Sequence, residues 1–157
     1  KAIHSDDTPL EQLIKTGRTT LMFFVSDPYR YLTDNANDVL TRTTTGTSNF
    51  TRVGNKDSFP IVEIKGTSGS TGSFTIATDN NQMKYTGTLL NGELLVIDSE
   101  ELTAYIVKND GTQVSALRNL DDLDFPVLTK GANSFTITTA GGAVLQECVL
   151  RYNSRWS

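Results

Sequence analysis

The chain has 157 residues, 37% hydrophobic and 20% charged, with 14 Lys and Arg against 18 Asp and Glu for a net charge of -4. That length suits one domain, or one domain plus part of another, and the abundance of threonine and serine leans the chain towards β-structure. The acidic balance argues against nucleic acid, which demands clustered Lys and Arg, and no run reaches the roughly 18 apolar residues of a membrane-spanning helix or opens the chain as a signal peptide would.

The chain starts with Lys1 and not Met, which reads as a piece cut from something longer. TPLEQLIKTG at 8–17 predicts a short amphipathic helix: Thr8 as N-cap, Pro9 at the first helical position, Glu11 closing a capping box and Gly17 as the stop, with Leu10, Leu13 and Ile14 on one face. Thr19 to Val25 then reads as a strand, ended by Ser26, Asp27 and Pro28. From Tyr31 to about Ser58 the periodicity dissolves into Thr, Ser, Gly and Asn, as in a linker or ragged edge strands. The boundary between two domains is placed near residue 32.

Beyond it, strand signals arrive at short intervals, the mark of an antiparallel β-sandwich or barrel. They are FPIVEIK at 59–65, GSFTIAT at 72–78 with Phe74 and Ile76 inward, and QMKYTGTLL at 82–90 with Met83 and Tyr85. Asn91-Gly92 predicts a two-residue type I′ hairpin into ELLVID at 93–98, and Ser99-Glu100 a turn into 101–108, where Leu102, Ala104 and Ile106 share a face. Asn109-Asp110-Gly111 marks the next hairpin, into TQVSAL at 112–117; NSFTITT, an Ala140-Gly141-Gly142 turn and AVLQECVLRY follow. Leu94, Val96, Ile106, Phe135 and Ile137 are the expected core.

Little in the chain promises reactivity. The sole histidine, His4, lies in the polar leading segment, far in sequence from the sole cysteine, so neither a nucleophilic triad nor a zinc shell can be assembled from them. Cys148 has no intrachain disulfide partner and reads as a small buried apolar group. The acidic groups Asp98, Glu100, Glu101 and Asp121, Asp122, Asp124 lack EF-hand spacing and read as solvated turns, and TSGSTGS at 67–73 has no phosphate-loop lysine. No catalytic residue, metal ligand or cofactor site is expected. Aromatic faces stack on sugar rings, so Tyr105, Tyr152 and Trp156 are the candidate contacts for a carbohydrate or an interface, with Tyr85, Tyr31 and Tyr29 also available.

LMFFVSDPYRY at 21–31, FPIVEI, NGELLVID at 91–98, DFPVLTKGANSF at 124–135 and RYNSRW at 151–156, in that order, resemble the siphovirus distal tail proteins, the hub proteins at the tip of long non-contractile phage tails. The resemblance implies that residues 1–31 are the end of a preceding ring-forming domain, a short helix plus a strand, and that residues 32–157 form a C-terminal β-sandwich of galectin-like or jelly-roll-like shape. It also implies a homo-hexameric ring in the full-length protein, joining the tail tube protein to a tail-tip or tail-associated lysin-type protein. Such a protein is made in the host cytoplasm and resides in the virion, at the tail tip or baseplate. The role is architectural and not enzymatic, with no membrane or nucleic acid as partner; the alternative is a carbohydrate-binding module for host-surface adhesion. By the same resemblance the apolar side chains Leu13, Ile14, Phe23 and Phe24 of the first segment seek a partner when the preceding domain is missing.

Overall fold

The computed structural model describes residues 2–4, 23–25, 29–32 and 38–157. Contacts divide the chain into two compact units, Lys1–Arg30 and Tyr31–Ser157. In the first unit, β1 (Ala2–His4) pairs antiparallel with β2 (Phe23–Val25). The predicted helix at 8–17 lies outside the described residues.

The second unit is an antiparallel β-sandwich. One sheet has six strands: β4 (Val39–Arg42), β6 (Ile61–Thr67), β9 (Leu94–Asp98), β10 (Thr103–Val107), β11 (Gln113–Ser115) and β13 (Val144–Arg151), in the order β11-β10-β9-β6-β13-β4. The other has four: β5 (Gly46–Arg52), β7 (Ser73–Thr78), β8 (Gln82–Thr86) and β12 (Gly131–Ala140), in the order β5-β12-β7-β8. A small two-stranded sheet joins β3 (Arg30–Tyr31) to β14 (Arg155–Trp156). The segment at 38–58, without a clear period in the sequence, supplies β4 and β5, the edge strands of the two main sheets. An edge strand is buried on one face at most, so it carries the weakest apolar alternation.

One core lies between the sheets. Val62, Ile64, Leu95, Ile97, Ala104, Ile106, Cys148 and Leu150 come from the larger sheet, and Phe74, Ile76, Met83, Tyr85, Phe135 and Ile137 from the smaller, all buried in one cluster. Each such side chain contributes about 1.5–3 kcal/mol through burial. Phe135 and Ile137 pair across to Thr78 and Ile76, which puts both on the inner face as the alternation predicts.

Three local expectations need correction. On β9 the inner residues are Leu95 and Ile97, facing their neighbours Ile64 and Val62, whereas Leu94 and Val96 lie on the outer face. The run LLVI is apolar at every position, so alternation could not fix its phase. Leu102 is 60% exposed with φ of 52°; it belongs to the turn before β10, not to the face of Ala104 and Ile106.

The Asn91-Gly92 turn is not a hairpin. The Glu93 amide donates to the Leu90 carbonyl at 3.1 Å, and Gly92 has φ of +88°, while Asn91 is absent from the positive-φ residues that a type I′ turn would require. The strands it joins, β8 and β9, belong to different sheets. After β8 the chain crosses over, with buried Leu89 exchanging backbone hydrogen bonds with Ser68. The Gly141-Gly142 turn is a second such crossing, between β12 and β13.

Candidate functional site

The closing segment, Arg151 to Ser157, organises one end of the sandwich. Arg151 makes a two-pronged contact with Glu63, Nε to Oε1 at 3.2 Å and Nη2 to Oε2 at 3.1 Å. Tyr152 is buried, and its ring stacks on Phe50 with centroids 4.4 Å apart and an interplanar angle of 12°. Burial first, and the negative charge of Asp38 second, push the Tyr152 hydroxyl up to about 12. Its amide donates to the Asp38 carbonyl at 2.9 Å, and its carbonyl accepts from the Ser58 hydroxyl at 2.6 Å.

Asn153 takes a left-handed conformation, φ 51°, and donates from Nδ2 to the Phe59 carbonyl at 3.0 Å. The Ser154 amide donates to Asp38 Oδ2 at 2.7 Å, while the Ser154 carbonyl accepts from Leu32 at 3.2 Å. The Arg155 guanidinium donates from Nε to the Asp57 carbonyl at 2.6 Å, lies 4.6 Å from the centroid of the Phe59 ring and sits 3.6 Å from Glu100 Oε1. A planar cation can stack and donate at the same time, which suits arginine and not lysine to this place. Tyr31 donates from its hydroxyl to the same Glu100 Oε1 at 3.1 Å. Gly54 packs so closely that an added Cβ would lie 2.7 Å from the Arg155 carbonyl, and its φ of +102° independently favours glycine.

Beside this segment Arg52, only 2% exposed, donates to three backbone carbonyls, those of Thr129, Val53 and Lys56. The entry of the chain into the sandwich, the loop at 53–60 and the turn before β10 are thereby tied to the last residues of the chain. Sequence reading missed Asp38 and Arg52. Arg52 shares the parity of Phe50 on an alternating strand, which could have marked it as inward; Asp38 carries no comparable signal.

The outer faces of the two sheets differ in chemistry. On the larger sheet, buried Val96 stands between Glu63 and Tyr105 in register, with half-buried Leu94, Val107 and Val149 on the same face. Its charges are paired internally, Glu63 with Arg151 and Lys65 with Glu147 at 2.7 Å. On the smaller sheet the outer row is polar, with Thr47 and Thr136 hydroxyls 2.8 Å apart. A shallow depression of about 450 Å³ lies there, lined by Asn49, Thr51, Asp79, Asn133 and Ser134 among others. Asp79 accepts from both the Ser134 hydroxyl, at 2.5 Å, and the Ser134 amide, at 2.9 Å, which hold its carboxyl below the usual range.

The three aromatics singled out in the sequence occupy three different settings. Tyr105 is half-buried on the outer face of the larger sheet, Trp156 is half-buried in β14, and Tyr152 is committed to the Phe50 stack and offers no free ring for a sugar. Tyr85 likewise belongs to the core. The acidic clusters act as turn caps and ion pairs: Asp98 Oδ1 accepts from the amides of Glu100 and Glu101, and Asp121 pairs with Lys84 at 3.0 Å. Among the described residues no group of three or more His, Cys, Asp or Glu is placed to hold a metal ion.

A family model described as the siphovirus-type tail component, C-terminal domain, matches residues 53–156. That span holds NGELLVID, DFPVLTKGANSF and nearly all of the closing segment. No curated protein and no solved structure matches the chain.

Proposed function

We propose, on the premise that this chain belongs to the siphovirus-type tail component family, that it works at the tip of the phage tail as part of the distal hub. The coarse role follows from the family itself: the protein is a structural component of a phage tail, and its partners are other tail proteins. The finer reading is that a homo-hexameric ring of the full-length protein links the tail tube to the tip proteins. In it, residues 1–31 are the end of the ring-forming domain, the sandwich projects from the ring, and the role is architectural without catalysis.

The observation that supports this reading is the lacing of the closing segment to the chain's entry. Leu32 is bonded to Ser154, Asp38 to Ser154 and Tyr152, and Tyr31 and Arg155 share Glu100. A part that holds its neighbours at a fixed angle needs its connection to the preceding segment anchored in folded structure and not left as a free linker. Electron microscopy of the full-length gene product tests the proposal. Six-fold rings are expected; isolated monomers would overturn the hub assignment. Saturable micromolar binding of host cell-wall polysaccharide, lost in Tyr105→Ala or Trp156→Ala, would favour adhesion over architecture.

A further inference from the structure

We propose that the free edge of β5 is a docking strand for a second copy of this chain, the two copies joining antiparallel into a continuous eight-stranded sheet. The orientation of the edge follows from two contacts. Thr47 and Thr136 face each other with hydroxyls 2.8 Å apart, the close approach of a non-hydrogen-bonded pair in an antiparallel ladder. The Thr47 amide and carbonyl therefore point away from β12, and the carbonyl accepts from Arg42 Nη1 at 3.1 Å. The register runs without a shift from Gly46 to Arg52, so the backbone groups of Asn49 and Thr51 point outward as well. Among the described residues nothing bonds to them.

The other edges are short or covered. β11 has three residues and β4 four, and β8 is flanked by the Leu120 bridge to Tyr85 and by the Asp121 amide, which donates to the Lys84 carbonyl at 3.0 Å. β5 has seven residues without proline, lysine or a bulge, the devices that ordinarily blunt a strand edge. Its outward row, Thr47, Asn49 and Thr51, is uncharged and self-compatible. A two-fold axis at Asn49 sets Asn49 against Asn49 and Thr47 against Thr51 of the second copy, pairs of hydroxyls and amides with no like charges opposed. The outward-facing positions then meet as hydrogen-bonded pairs, and the polar outer faces of both copies become one surface.

Sedimentation equilibrium of the whole chain tests this, with Asn49→Pro, which deletes an outward amide, and Thr51→Lys, which sets a cation on the edge beside its neighbour. A reversible dimer is expected, weakened about tenfold or more in each variant, together with slowed hydrogen exchange at Asn49 and Thr51 that disappears on dilution. Circular dichroism identifies a variant that has lost its fold; Thr51→Lys, exposed and outward, then carries the comparison. A strict monomer at the highest soluble concentration, or a dimer equally strong in both folded variants, overturns the proposal. Protection of these two amides only when another tail protein is added would give the edge to a different occupant and also overturn it.

Discussion

The amide of Ser154 donates a 2.7 Å hydrogen bond to the carboxylate of Asp38, a residue 116 positions earlier in the chain. Both are buried, and the Asp38 carbonyl accepts a second bond from Tyr152. Asp38→Ala leaves a buried amide without its acceptor, which costs about 1–3 kcal/mol. Chemical denaturation should show that loss, and a smaller one for Asp38→Asn, which keeps an acceptor oxygen. An Asp38→Ala midpoint equal to wild type would mean that the closing segment is not held in this way.

The assignment of inner and outer faces on β9 predicts an unequal pair of truncations. Leu95 is fully buried between the sheets, so Leu95→Ala should cost about 2–5 kcal/mol. Val96→Ala removes less and opens no cavity between the sheets, and should cost clearly less. Phe135→Ala, from the centre of the smaller sheet at 1% exposure, should cost about 3–5 kcal/mol. Melting temperatures in the order Val96→Ala, Leu95→Ala, Phe135→Ala, from highest to lowest, are expected.

Glu93 predicts a pH dependence. It is 3% exposed, and burial works to raise its pKa, but the Leu90 amide at 2.9 Å and the Lys108 ammonium at 3.0 Å outweigh that and hold it below the ordinary value of 4.5. Asp110 is the nearby charge that opposes them. A carboxylate with a depressed folded-state pKa stabilises the fold above its unfolded value, and that contribution is lost as the pH falls through the folded one. Urea midpoints of wild type should therefore fall more steeply below about pH 4.5 than those of Glu93→Gln. Asp79 and Asp110, also depressed, act in both proteins and cancel in the difference. Parallel curves would remove Glu93 from the account.

Cys148 is 1% exposed, and burial pushes its thiol up to about 12. The thiolate is the reactive form, so a disulfide reagent at neutral pH should label it only after denaturant unfolds the sandwich. Rapid labelling of the native protein would place it outside the core.

Much of this architecture was legible in the residues. Phe74, Ile76, Met83, Tyr85, Phe135 and Ile137 alternate with polar neighbours and all face inward, because a one-sided sheet leaves a period of two in its sequence. The Asn109-Asp110-Gly111 hairpin is where its glycine put it, with Gly111 at φ +84° and β10 paired to β11. Asn91-Gly92 shows the limit: a turn residue reports local φ and says nothing of whether the next strand returns to the same sheet. The candidate surfaces were harder still. Arg52 and Asp38 hold backbone groups from loops 77 and 116 residues away, and no local pattern encodes such a meeting. Tyr152 reads as an available aromatic until Phe50, about a hundred residues earlier, is found stacked against it.

The central claim is a place at the tail tip, and immunogold labelling of intact virions with an antibody raised against residues 38–157 tests it most directly. Gold confined to the end of the tail away from the capsid is the predicted result. Gold spread along the tail tube, or absent from virions, would contradict the account.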